Sequence, residues 1–450
     1  MNPPDRFGAA ALGDEAERDA GRRPPNNMDV FVGLESNVRN YSRTFPVVFT
    51  SARGARMWDE AGRSYIDFLS VAGALNYGHN NPLLKQSLQD YLACDGVIQS
   101  LDLATGAKRD FIEAFERLIL RPRGLSYRLQ FTGPTGAHSV EAALRLARKV
   151  KKRNGLIAFT NAFHGVTQGA LSVTANRHYR AGTERGSDVA FVAYDGYLNG
   201  FDSLADLEKR IGDPGSGLDA PAAFIVETVQ GEGGINVASA RWLQALAALA
   251  KSCGSVLIVD EIQVGCGRAG SFFSFERAGI VPDIVTLSKS LSGFGFPMAL
   301  TLIRPEFDIW KPGEHSGTFR GNNLAFVTAR AALEHYWRDD AFMSQVRRKA
   351  VYLRDRLDGV AEEVNRSRAS LPPLAVRGCG LIQGIDCLNQ PMAAAVVSQA
   401  FADGLIVETC GSHDQVVKCL PPLTIGLDDL EAGLDILCSA VKAVSSAAPS

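Results

Sequence analysis

Between about residue 73 and residue 330 the chain alternates apolar, strand-like runs with helical patterns, and this alternation constrains its fold more than any other feature. The runs are LIAFT (156–160), AAFIVET (222–228), SVLIVDE (255–261) and DIVTLSK (283–289). Between them, HSVEAALRLARKVKKR (138–153) and SARWLQALAALAKSC (239–253) place apolar residues at helical spacing with charges on the other face. Strands separated by helices of this length form βαβ units, so an α/β fold around a mostly parallel sheet is expected.

The flanks read differently. In ARGARMWDEAGRSYIDFLS, alternation broken by Glu60 to Gly62 predicts a hairpin. Residues 29–72 are read as an N-terminal segment that packs beside a smaller domain. Residues 73–330 are read as the large domain. From 331 to 450 a long amphipathic stretch, AFMSQVRRKAVYLRDRLDGVAEEV, precedes short strands around LAVRGCGLIQGID and QVVKCLPPL, which predicts a small α+β domain. Residues 1–28 are rich in Pro, Gly and charge and are expected to be a flexible tail. They carry no apolar core of a secretion signal, and no run reaches the roughly 18 apolar residues of a membrane span, so a cytoplasmic location is the default expectation.

Charge narrows the function. A formal net charge of -2 with evenly mixed signs gives no basic field for nucleic acid, and small-molecule chemistry is favoured. The eight cysteines form no CxxC pair and are read as reduced thiols, with Cys253 and Cys438 packed in the core. No metal site is expected. Gly 44 in 450 residues, about one in ten against the usual roughly 7%, predicts many tight turns.

Ligands of open parallel sheets bind beyond the carboxyl ends of the strands. There SVLIVDE presents Asp260 and DIVTLSK presents Lys289. A structural ion pair is one reading of these two residues. A third element is the turn in FTGPTGAHSVEAALRLAR, where a strand-like segment leads through Thr132 to Gly136 straight into a helix, whose first backbone N–H groups favour an anion. Any tight turn uses glycine, but the three elements together describe a phosphorylated pyridine aldehyde. Lys289 would bond the aldehyde, the Thr135, Gly136 and Ala137 turn would hold the phosphate, and Asp260 would keep the ring nitrogen protonated, making the ring an electron sink.

The motifs VDEIQVGCGR, DIVTLSKSLSG, AFHG and ETVQGEGG stand in the order and spacing of a known family. Over nearly its whole length after about residue 30, the chain resembles the class III (ornithine and ω-amino-acid) aminotransferases. The resemblance implies pyridoxal 5'-phosphate as cofactor and the PLP-dependent transferase fold type I, a doubly wound, mostly parallel sheet with a smaller α+β domain. It also implies a homodimer or higher oligomer with sites at the interface. It marks Phe163 as the ring stacked on the cofactor, His164 as part of the same motif, and Gln263 as the contact to the phenolic oxygen. Thr318, in HSGTFRGNN, matches a threonine that reaches the neighbouring subunit's cofactor phosphate. Glu232, in QGEGG, matches a gate carboxylate whose usual arginine partner is replaced here by Lys418, which offers a point charge in place of a planar fork. Either Glu232 and Lys418 form an exchangeable pair that admits two kinds of substrate, or Lys418 is merely exposed. Tyr41 aligns, through a one-residue gap, with a substrate-contacting tyrosine.

Within class III, the stretches ESNVRNYSRTFPVVF, GALNYGHNNP, QFTGPTG, YDGYL, ETVQGEGGINVAS and KPGEHSGTFRGNNLAF resemble the L-2,4-diaminobutyrate:2-oxoglutarate aminotransferases of ectoine and siderophore pathways. Ala137, His138 and Ser139 depart from the Thr-Asn-Ala-like sequence expected after the phosphate turn. The implied reaction moves the amino group of L-glutamate onto L-aspartate 4-semialdehyde, giving L-2,4-diaminobutyrate and 2-oxoglutarate by a ping-pong route. Another class III ω-aminotransferase, of the ornithine, acetylornithine or 4-aminobutyrate type, or a class III aminomutase or racemase, is the alternative. A non-catalytic binding protein would have no chemical reason to keep Lys289, Asp260 and Gln263 together.

Overall fold

The computed structural model describes residues 28–182, 188–368 and 372–447; all of the expected N-terminal tail except Met28 lies outside the described residues. A hairpin precedes the large sheet: β1 (Phe49–Arg53), β2 (Arg56–Asp59) and β3 (Ser64–Asp67) are joined antiparallel. The expected turn follows β2, where Gly62 adopts φ 77° and its N–H donates to Asp59 O at 3.0 Å.

The central sheet contains β4 (Arg128–Phe131), β5 (Leu156–Phe159), β6 (Val189–Val192), β7 (Ala223–Val226), β10 (Val256–Asp260), β11 (Ile284–Leu287) and β12 (Leu300–Ile303). A short ladder of β8 (Val229–Gln230) and β9 (Asn236–Val237) lies between β7 and β10 in the chain. The order across the large sheet is β4-β12-β11-β10-β7-β5-β6; β12 alone runs antiparallel to its neighbours β11 and β4.

The apolar runs lack polar alternation because both faces of this sheet are covered. Val256 and Ile258 point to one face, where Val140, Ala143, Leu144 and Ala147 of the helix Gly136–Lys151 pack on them. Leu257 and Val259 point to the other, against Leu243 and Leu246 of the helix Ala240–Ser252. This is the α/β, doubly wound, mostly parallel sheet implied by the resemblance.

The C-terminal part is α+β. Its antiparallel sheet has the order β13-β14-β17-β16, made of β13 (Ala375–Cys379), β14 (Ile382–Asp386), β16 (Glu408–Cys410) and β17 (Val416–Cys419). The two-residue β15 (Leu405–Ile406) pairs parallel to β3, so the N-terminal hairpin adds its strands to an element of the C-terminal region. The helix Asn323–Tyr336 runs through residue 331, the expected division between the domains. No helix among the described residues is long and apolar enough to cross a membrane.

Candidate active site

Parallel pairing brings the ends of β10 and β11 to one edge, with Asp260 level with Thr286. The Asp260 carboxylate accepts from Thr286 Oγ1 at 3.0 Å and from the Ile262 backbone N–H at 3.0 Å through Oδ1, while Oδ2 lies 2.8 Å from His164 Nδ1. Burial alone would lower the His164 pKa, but the hydrogen bond and charge of Asp260 outweigh it and the imidazole is shifted up. β11 stops at Leu287, so Lys289 does not sit on the strand. It opens a 3₁₀ turn, Lys289–Ser292, in a left-handed conformation with φ 47°. A non-glycine residue in that region stores strain, which sites hold more often than scaffolds do. Among the described residues no ion pair joins Asp260 to Lys289, so the structural-pair reading fails.

Gly136, Ala137, Phe163, His164, Glu232, Asp260, Gln263 and Lys289 line one cavity of about 180 Å³. Thr135 caps the helix Gly136–Lys151 by position only: its hydroxyl faces His138 Nδ1 at 3.3 Å and caps no backbone donor, which leaves the first-turn N–H groups of Gly136 and Ala137 to the cavity. A Cβ at 136 would stand 2.8 Å from Ile262 Cδ1, so a larger residue there would make that side chain shift. Thr318 is exposed, in the turn Thr318–Gly321, and does not line this cavity.

The residues present fit the phosphorylated pyridine aldehyde. Two buried polar atoms at the cavity, His164 Nε2 and Gln263 Oε1, have no hydrogen-bond partner. A lysine, a carboxylate, an uncapped helix start and the Phe163 ring line the same space. Burial lowers the Lys289 pKa, opposed mainly by Glu232.

On the C-terminal side, Lys418 is fully buried, not exposed. Its ammonium donates to Glu232 Oε1 at 2.7 Å and stands 3.0 Å from Glu408 Oε1. Gln263 Nε2 donates to the same Glu232 oxygen at 2.8 Å and to Ala72 O at 3.1 Å. Burial would raise the Glu232 pKa, but Lys418 and Lys289 bring it down to about 2. Lys418 is itself held far above its ordinary value: the two carboxylates overcome desolvation. Tyr41 joins this cluster by donating to Glu408 Oε2 at 2.8 Å, and burial together with Glu408 pushes its ionisation far up.

Three features escaped the sequence. Glu408 carries no motif and reaches Lys418 only through the β16–β17 register, which sets the two residues opposite each other. Glu227, within ETVQGEGG, lines the same cavity and accepts from the Phe163 backbone N–H at 3.0 Å; burial pushes its carboxyl up to about 7. The segment Ser70–Gly73 runs with four consecutive positive φ angles, 47°, 52°, 54° and 83°. Ser290 Oγ, one residue after Lys289, donates to Gly73 O at 2.7 Å and ties this strained turn to the lysine. The single glycine in FLSVAGALN, Gly73, was the only hint.

Comparison with known proteins gives the site a context. The family described as aminotransferase class-III matches residues 37–441. A diaminobutyrate--2-oxoglutarate transaminase from Bordetella parapertussis is 54% identical over 428 residues, covering 94% of this chain and 97% of that protein. One of the same name from Halomonas elongata is 54% identical over 412 residues, covering 91% and 97%. Among solved structures, an ornithine aminotransferase from Toxoplasma gondii superposes with a TM-score of 0.76 at 26% identity, covering 94% of this chain and 99% of that one.

Proposed function

The chain belongs to the class-III aminotransferases, and from that membership we propose that it is a pyridoxal-phosphate-dependent L-2,4-diaminobutyrate:2-oxoglutarate aminotransferase. It moves the amino group of L-glutamate onto the aldehyde carbon of L-aspartate 4-semialdehyde in two half-reactions. Relatives of that printed name, similar over nearly the whole chain, support the substrate pair. The observation that carries the reading is the Glu232–Lys418 pair at the edge of the cavity that holds Lys289.

The first-turn N–H groups of Gly136 and Ala137 would hold the phosphate, Phe163 would cover the ring, and Asp260 would face the ring nitrogen from its bonds to His164 and Thr286. Gln263 would contact the phenolic oxygen. When bound, pyridoxal phosphate supplies an electron sink for the carbon that bears the amine. Lys289 would anchor the cofactor, and its Nζ, when free, would carry the proton of the donor carbon. Burial favours the neutral amine that this task needs.

The pair reads the donor's reacting end. L-Glutamate carries a carboxylate on its reacting carbon, and Glu232 turns aside so that Lys418 receives it. L-2,4-Diaminobutyrate carries none on its reacting carbon, and the pair stays closed. Each donor does carry a carboxylate at the same distance along the carbon chain from its reacting carbon. A cavity that shares Phe163 and Glu232 with the first continues between Arg177, His178 and His413. It offers that distal carboxylate the Arg177 guanidinium.

The active unit is a homodimer. Ile98, Leu101, Leu103 and Phe319 are exposed apolar side chains on two segments joined at Gln99 and Asn322, beside Thr318. Such a patch fits a second copy of the chain, which Thr318 would then reach.

Purified protein given L-2,4-diaminobutyrate and 2-oxoglutarate should form L-glutamate, with parallel double-reciprocal plots as 2-oxoglutarate is varied. Intersecting plots, or turnover confined to ornithine or 4-aminobutyrate, would overturn this reading.

A further inference from the structure

Two carboxylates on one lysine are more than a gate requires. An exchangeable pair needs one moving anion and one fixed cation, yet here Lys418 stands against both Glu232 and Glu408. The two anions are not equivalent. Glu232 occupies the loop between β8 and β9, keeps 21% of its side chain exposed and lines the cavity. Glu408 lies on β16, directly across from Lys418, with 6% of its side chain exposed and Tyr41 bonded to its outer oxygen. Lys418 Nζ donates to Glu232 Oε1 at 2.7 Å and stands 3.0 Å from Glu408 Oε1, so both carboxylates are held by the one ammonium.

The cluster thus sets one ammonium against two carboxylates. Burial raises the Glu408 pKa, and Lys418 opposes that rise. The surplus negative charge is delivered to the cavity through Glu232, which lies on the boundary between the inner cavity at Lys289 and the outer one at Arg177. A donor whose reacting carbon sits at Lys289 and whose distal carboxylate sits in the outer cavity passes its middle carbons by Glu232. Of the two donors considered above, L-2,4-diaminobutyrate has a second ammonium on that stretch and L-glutamate has none.

We propose that Glu408 sets the donor specificity of this site: by placing a second carboxylate on Lys418 it leaves surplus negative charge at Glu232, which selects an amino donor carrying a second ammonium group. The proposal rests on the diaminobutyrate reading and adds a residue to it. Glu408 acts through Lys418 and Glu232 and touches no reacting atom, so it is a positioning residue. With a lone carboxylate on Lys418 the pair would be neutral and blind to that ammonium.

4-Aminobutyrate isolates this effect, since it differs from L-2,4-diaminobutyrate only in lacking the α-ammonium. The experiment measures kcat/KM of the full-length holoenzyme for both donors, with 2-oxoglutarate as acceptor, in the wild type and in Glu408→Gln. The glutamine keeps the shape and an acceptor for Tyr41 but removes the charge. The loss with L-2,4-diaminobutyrate should exceed the loss with 4-aminobutyrate by about tenfold and fall mainly on KM, the change expected for one charge-assisted contact. Equal losses with both donors would mean that Glu408 merely supports the fold, and would overturn the proposal. Glu408→Asp, which keeps the charge, should retain the wild-type ratio; a ratio lost as fully as in Glu408→Gln would also overturn it. Failure of the wild type itself to use L-2,4-diaminobutyrate would instead reject the underlying function.

Discussion

Asp260 and Lys418 are both charged side chains on buried strands, and they are held in different ways. Asp260 ends a parallel strand and is fixed by a hydroxyl, a backbone N–H and an imidazole, bonds with no competing carboxylate. Lys418 lies in an antiparallel sheet and is fixed by two carboxylates, one of which, Glu232, borders the cavity. The first arrangement has one stable state. The second can exchange partners, because a substrate carboxylate can replace Glu232 at little net electrostatic cost, whereas stripping a buried lysine of all partners would cost about 3–5 kcal/mol. The cofactor half of the site is therefore rigid and indifferent to the donor, and the donor half is built to be remade.

This difference can be broken experimentally. Lys289→Ala should abolish transamination with every donor alike, by on the order of 10⁴-fold in kcat, since one side chain is both anchor and proton carrier; steady-state rates with glutamate and diaminobutyrate check this. Unequal losses would blur the division between the halves.

The rigid half also carries a cost in stability. Glu227 has its carboxyl pushed from an ordinary 4.5 up to about 7 by burial, so the folded protein holds a proton that the unfolded chain has lost. Stability should fall as pH rises from about 5 through about 7, by up to about 3 kcal/mol for this group. Glu261, also raised to about 7, contributes with the same sign. Glu227→Gln should flatten part of that slope, read as Tm at about pH 5.5 and pH 8; an unchanged slope would mean that Glu227 is charged throughout.

Lys418→Ala should act on donors unequally, raising the KM for L-glutamate on the order of tenfold to a hundredfold, the worth of one charged hydrogen bond, with a smaller effect on L-2,4-diaminobutyrate. Unchanged glutamate kinetics would reject the gate. The smallest effect is expected at Arg177, an exposed cation of the outer cavity: Arg177→Ala should raise the KM for both donors by about fivefold or less. An effect on one donor alone would show that the two do not share a distal carboxylate site.

The same division explains what could be read from the chain. The cofactor half was legible because its parts are local: the apolar runs of β10 and β11 end close to Asp260 and Lys289, and the glycine turn stands directly before its helix. Even there the strand stops at Leu287, and the left-handed step that aims Lys289 leaves no signature in DIVTLSK. The donor half was legible only in Glu232 and Lys418, through a family pattern. Glu408 was not, because its meaning arises from a cross-strand register ten residues away in sequence and from a tyrosine contributed by the N-terminal segment.

The central claim, a lysine-bound cofactor that accepts amino groups from both donors, is tested most directly by the absorbance spectrum of the purified protein, recorded before and after L-glutamate and, in a parallel sample, before and after L-2,4-diaminobutyrate. A visible band should be lost with either donor alone and restored by 2-oxoglutarate, and should be absent from Lys289→Ala in its lysine-bound form. A band that neither donor changes would contradict it.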